Sequence, residues 1–187
     1  MNTVAAPSPR KAERLIHVVQ GQYRVSTERD VVMTTILGSC VATCMWDPVA
    51  EVGGMNHFLL PGDEDVNSGL VKYGVNAMEL LINGLLQKGA SRKQLRAKLF
   101  GGARVLRSLS DNIGAKNGAF AERFLRTEGI ECVAQSLGGD RARRIRFSPT
   151  TGRAGQLLLD ANAAEPAVVE RPAPAAPGEA PGSIELF

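Results

Sequence analysis

Between Val31 and Leu60 the chain reads VVMTTIL, GSC, VATCMW, DPVA and EVGGMNHFLL, three short apolar runs parted only by Gly38-Ser39 and by Asp47-Pro48. Runs of this length, rich in Val, Ile, Thr, Trp and Phe and bounded by turn formers, predict β-strands over 31–37, 41–46 and 51–60. With the strand-like segment RLIHVVQGQYRVS (14–26) ahead of them, they read as an antiparallel run. The period then changes. Val71, Val75, Met78, Leu81, Ile82, Leu85 and Leu86 recur at helical spacing, which predicts a helix over 70–90 with Gly89 as its stop. A strand at KLFGG (98–102), helical stretches at 103–111 and 117–129, and strands at 130–136, 144–148 and 155–160 complete the pattern. Strands and helices mix without strict βαβ alternation. The expected fold class is therefore α+β or a layered α/β sandwich, with mixed, largely antiparallel sheets and helices packed outside.

The 187 residues suit one domain. Residues 1–13 are polar and Pro-containing and read as a flexible arm, residues 14–160 as the domain, and residues 161–187 as a disordered tail. Pro166, Pro172, Pro174, Pro177 and Pro181 crowd that tail among Ala and Glu, which leaves too little bulky apolar surface to offset the entropy of ordering. The tail holds Arg171 against Glu165, Glu170, Glu179 and Glu185, so the net charge of +3 understates how basic the domain itself is. Such a surplus is the ordinary sign of a soluble surface. The start of the chain lacks the apolar core of a signal peptide, and apolar runs break well short of the roughly 18 residues a membrane helix needs, so a cytoplasmic protein without membrane insertion is expected. In a reducing compartment Cys40, Cys44 and Cys132 are expected to be free thiols.

Chemistry concentrates at Leu37-Gly38-Ser39-Cys40. A strand that ends here and is followed at once by another presents the thiol on a sharp turn, where backbone N–H groups near Gly38 and Ser39 can serve as an oxyanion hole. His57 lies beyond the Asp47-Pro48 hairpin, within folding reach of the turn, and paired with it Cys40 is expected to ionise more readily and react as a thiolate. The competing reading is a small buried cysteine and a structural histidine. Other chemistries fit less well. Cys40 and Cys44 lack zinc spacing, and His17 and Cys132 have no local partner, so no metal is expected. Ser39 is outside any G-x-S-x-G elbow, and Gly101-Gly102 and Gly138-Gly139 belong to no phosphate-binding motif and read as turns. Arg141, Arg143, Arg144 and Arg146 form a basic cluster without a nucleic-acid module or interleaved aromatics, which reads as a solvated edge rather than a nucleic-acid surface.

Several motifs occur together and in order: LGSCVATCMWDPVAEVGGMNHFLLP, KYGVNAMELLINGLLQKGA, KLFGGA, IGAKN, LGGDRARRIRF and TGRAG. Across roughly residues 14–158 the chain resembles the bacterial chemoreceptor glutamine deamidase family, CheD. Asn56 stands where a small residue is common, and FGGARV lacks the Met or Phe that often follows the glycines; neither touches the implied chemistry. The resemblance implies a cysteine hydrolase on a layered α/β sandwich, similar in its active site to toxin-like deamidases. It places the nucleophile on Cys40, the base on His57 and the third triad member on Thr34, with Thr35 the alternative should the strand register slip by one residue.

The implied reaction converts receptor glutamines to glutamates through a Cys40 thioester, releasing ammonia and creating methylatable sites for adaptation, with no cofactor. Methyl-accepting chemotaxis receptors are the implied substrate and the phosphatase CheC an implied partner. Two rivals stand beside this reading: a partner-binding signalling module with secondary catalysis, and a transglutaminase-like enzyme acting on another protein.

Overall fold

A computed structural model describes residues 12–60, 69–105 and 113–160. The expected tail (161–187), nearly all of the expected arm, and much of the helical stretch expected at 103–111 lie outside the described residues.

Among the described residues, nine strands and two long helices build three layers. The strands are β1 (Arg14–His17), β2 (Tyr23–Ser26), β3 (Val31–Leu37), β4 (Val41–Asp47), β5 (Val52–Phe58), β6 (Arg96–Gly101), β7 (Glu131–Leu137), β8 (Arg143–Ser148) and β9 (Arg153–Leu158); α1 spans Gly69–Gln87 and α2 Ile113–Thr127. One sheet has the order β1-β3-β8-β9 and the other β2-β5-β4-β6-β7. Pairing is antiparallel except for β1 with β3 and β6 with β7. The run read as consecutive antiparallel strands is thus divided: β1 and β3 belong to one sheet, β2, β4 and β5 to the other. The segment 14–26 is two strands, because the chain changes sheets between His17 and Tyr23.

Strand alternation explains the layers. On β4, Ala42, Cys44 and Trp46 join Val31, Met33 and Leu37 of β3, Ile145 and Phe147 of β8 and Met55 of β5 in a core between the sheets. Trp46 meets Phe147 edge to face at 6.4 Å between ring centroids. The other face of β4 and β5, with Val41, Met45, Val52 and Phe58, packs beneath Met78, Leu81, Ile82 and Leu85 of α1 and Phe120, Phe124 and Leu125 of α2. From Val75 to Leu86 the periodic stripe that predicts α1 faces the core. The helix closes where expected: Gly89 takes φ +97°, and Ala90 N–H returns to Leu85 O at 3.1 Å.

Asp47 shapes the β4–β5 hairpin. Its Oδ1 accepts from Val49 N–H and Ala50 N–H while Oδ2 accepts from Ser91 N–H. Burial raises the carboxyl pKa, yet these three donors outweigh it and hold the group below its ordinary value. Asn56 bonds β5 to the neighbouring strand and to the helix above it, accepting from Thr43 N–H of β4 and donating to Ala77 O of α1. It faces away from the inter-sheet layer. Arg143 departs from the expected solvated cluster: it is 3% exposed and donates to Ser136 O and Gly138 O, fastening the β7–β8 connection.

Candidate active site

Cys40 stands where the chain leaves one sheet for the other, between the end of β3 and the start of β4. Three successive carbonyls pin this crossover from one side: Gly38 O accepts from Ala103 N–H, Ser39 O from Asn117 Nδ2–H, and Cys40 O from Gly102 N–H, each at 2.8 Å. Gly101 makes the approach possible. Its φ is +114°, and a Cβ there would come within 2.1 Å of Cys40 O. The Cys40 backbone N–H faces its own sulfur, which favours the thiolate, but burial of the half-exposed side chain is the larger effect and raises the pKa. The setting therefore runs against the expectation of an easily ionised thiol, because burial outweighs the one N–H that favours the thiolate.

His57 lies on β5 directly opposite Ala42 of β4. It shares the inter-sheet face with Met55, and Cys40, two residues before Ala42, precedes that same face of β4. Cys40 itself lies one residue outside the β4–β5 ladder, and no hydrogen bond among the described residues joins its sulfur to the imidazole. The imidazole is 7% exposed and its pKa is lowered, chiefly by burial, with the Val18 carbonyl working in the opposite direction. Nδ1 lies 2.8 Å from Thr35 Oγ1 and 3.3 Å from Val18 O. In the tautomer with the proton on Nδ1, that N–H donates to Val18 O and Thr35 Oγ1, and the Nε2 lone pair is free. Nε2 is buried and has no hydrogen-bond partner among the described residues.

The third position requires a correction. Thr34 does not touch His57; its hydroxyl donates to Ile145 O at 2.7 Å across the β3–β8 pair. The cause is the two-residue period of a strand: Met33, Thr35 and Leu37 face the other sheet, while Val32, Thr34 and Ile36 face away. Thr35 is the threonine that meets the imidazole.

Sequence reasoning missed Gln20. The Cys40 Sγ–H donates to Gln20 Oε1 at 3.3 Å, across the turn that joins β1 to β2. No motif carries that contact, which depends on two chain crossings coming together. The remaining cysteines differ in setting: Cys44 is fully buried, with its pKa pushed far up by burial, and Cys132 is exposed on β7. A groove of about 610 Å³ lies elsewhere, lined by Glu13, Arg29, Val32, Arg146 and Ser148 among others. Its Val32 projects from β3 on the face opposite Thr35, which sets the groove apart from the cysteine and histidine.

The family model described as CheD chemotactic sensory transduction matches residues 59–156. A protein of Acidiphilium cryptum (strain JF-5), called a probable chemoreceptor glutamine deamidase CheD, is 53% identical over the full length of both chains. The chain belongs to the CheD family. CheD relatives with the same designation include one of Caulobacter sp. (strain K31), 55% identical over 92% of each chain, and one of Rhizobium meliloti (strain 1021), 50% identical over the full length of both. The resemblance carried by the sequence motifs is therefore a family relationship. No helix among the described residues is long and apolar enough to cross a membrane.

Proposed function

We propose that this chain is a cytoplasmic protein-glutamine deamidase of methyl-accepting chemotaxis receptors, acting through Cys40 with His57 as its base and Thr35 orienting the ring. The reading is supported by a thiol on the inter-sheet crossover and, on the strand that follows in the same sheet, an imidazole whose Nδ1 is held and whose Nε2 is buried and unpartnered. The designation of the CheD relatives supplies the substrate class.

Burial pushes the thiol pKa up and the imidazole pKa down, which favours general-base attack over attack by a standing thiolate. His57 Nε2 takes the Sγ proton as sulfur adds to the carboxamide carbon of the substrate glutamine. The Cys40 N–H, already facing the sulfur, is placed to receive the oxyanion, with the Gly38–Ser39 turn held rigid behind it. Protonated His57 then gives its proton to the departing nitrogen, the C–N bond breaks, and ammonia leaves a thioester. Water adds to the thioester with its proton going to Nε2; the C–S bond breaks, glutamate departs and the thiol is restored. Thr35 and Val18 keep one ring orientation throughout. Each turnover converts a neutral receptor side chain into an acidic one.

The decisive experiment incubates receptor cytoplasmic domains with the wild-type chain and with Cys40→Ala and follows amide-to-acid conversion by mass spectrometry. Conversion by the wild type alone is expected; equal conversion by both would remove the mechanism. The same pair tested against the phosphatase CheC separates a binding role, which should survive loss of the sulfur.

A further inference from the structure

Two segments pass from the four-stranded to the five-stranded sheet at the same end of the molecule: Gly38–Cys40, carrying the thiol, and Val18–Gln22, joining β1 to β2. The second is fastened around His57. Val18 N–H donates to Thr34 O at 2.9 Å, Gly21 N–H to His57 O at 2.8 Å, and His57 N–H to Gln22 O at 3.0 Å. Gln20 stands at the exposed tip of this clamped turn and lays its carboxamide on the sulfur. A long polar side chain on a surface turn ordinarily stays solvated and mobile. Here its backbone is tied to the strand that carries the base.

We propose that Gln20 is a catalytic residue: its side-chain N–H joins the Cys40 backbone N–H in binding the oxyanion of both tetrahedral intermediates, while in the resting enzyme its oxygen accepts the thiol proton. The proposal rests on the reading of Cys40 as nucleophile. Its chemical basis is that a carboxamide is acceptor at one end and donor at the other, and a half-turn about its last bond, a broad and soft torsion, exchanges the two. A protonated sulfur calls for the oxygen, the pairing found at rest. Once the proton has moved to His57, negative charge develops on sulfur and then on the substrate oxygen, and the NH2 end becomes the favoured one. A carboxylate could serve the first state but would repel the second.

The fixed setting of the turn leads to the same residue. The carbonyls of Gly38, Ser39 and Cys40 are all engaged in pinning the crossover, and the Cys40 N–H faces the sulfur from the chain side. Gln20 approaches that sulfur from a different segment of chain. Two donors from separate segments can bracket an oxyanion, the preorganised arrangement that stabilises charge without waiting for solvent.

The test compares wild type, Gln20→Ala, Gln20→Glu and Cys40→Ala on a purified chemoreceptor cytoplasmic domain. Steady-state deamidation is measured alongside the rate at which iodoacetamide alkylates Cys40, a displacement that forms no oxyanion. Loss of one oxyanion donor is expected to lower kcat by about 10²–10³ in both Gln20 variants, with KM little changed. Alkylation of Cys40 in Gln20→Ala should change far less than kcat, since it loses only the contact to sulfur and no oxyanion donor, and the exposed position should leave thermal unfolding unaltered. Unchanged kcat in Gln20→Ala, or a gain in kcat/KM, would overturn the proposal and make the side chain a plug in the substrate's place. Conversion of Gln20 itself to an acid in wild type but not in Cys40→Ala would also overturn it, since the donor must remain an amide. Activity retained in Cys40→Ala would instead remove the nucleophile reading, a failure distinct from inactivity of Cys40→Ala beside full activity of Gln20→Ala.

Discussion

Thr35 Oγ1 lies 2.8 Å from Nδ1 of His57, while the hydroxyl of its neighbour Thr34 points to the other side of the same strand and bonds Ile145 O. The two threonines therefore separate orientation of the ring from support of the sheet. Thr35→Val should lower kcat about tenfold, the worth of roughly one hydrogen bond, with KM unchanged and Thr35→Ser restoring most of the rate. Thr34→Val should keep the rate and cost about 1 kcal/mol in urea unfolding. Parallel kinetics and denaturation decide the matter; a slow Thr34→Val beside a normal Thr35→Val would reverse the assignment.

Burial lowers the His57 pKa below the ordinary 6.5, and the base must be neutral to act. The acid limb of kcat/KM should accordingly fall below pH 6.5, with full base function through neutrality. Stability follows the same group. At pH values between the folded pKa and 6.5 the unfolded chain binds a proton that the folded chain refuses, so stability rises with pH across that window and is fully present above 6.5. Replacing the imidazole with an uncharged amide, His57→Gln, should flatten this part of a plot of Tm against pH. An acid limb above 6.5 would contradict the buried setting.

The cysteines should differ in reactivity. Because the Cys40 pKa is raised above 9.0 by burial, its alkylation by iodoacetamide should keep accelerating as pH passes 9.0 rather than level off. Cys44, enclosed in the inter-sheet core, should stay unlabelled until the protein unfolds. Peptide mapping after timed alkylation reads both outcomes, and labelling of native Cys44 would show that the core is open.

Gly101→Ala should damage both fold and rate. A Cβ at this φ of +114° meets Cys40 O at 2.1 Å, so the Cys40 turn must move or the strand end must strain, at a cost on the order of 1–3 kcal/mol. Thermal melting and deamidation should fall together. Gly129→Ala, strained by a φ of +65° but with nothing near its added Cβ, should lower stability without a specific loss of rate.

The elements were most legible where one period ran long enough to state itself. The stripe from Val75 to Leu86 locates α1, and Gly89 ends it, because helix periodicity and a left-handed stop are local properties. The strands were legible as strands but not as members of a sheet. Nothing local distinguishes a hairpin turn from a crossing between layers, so the change of sheet inside 14–26 and again at Gly38–Cys40 was hidden. Cys40 and His57 stood out through turn chemistry and family motifs. Thr34 and Thr35 did not separate, since adjacent strand residues differ only in the face that tertiary packing assigns them. Gln20 was silent, because its partner is twenty residues away and the contact exists only once both crossings have closed.

Cys40 belongs fully to neither sheet. Thr35 comes from one layer and His57 from the other, with Cys40 on the span between them, so their mutual spacing measures how the layers are stacked. A small shear along Met33, Met55 and Phe147 would pull the chemistry out of alignment while every strand kept its own ladder. Loss of turnover should therefore precede loss of secondary structure when this seam is loosened, making the enzyme a sensitive reporter of its own interior fit.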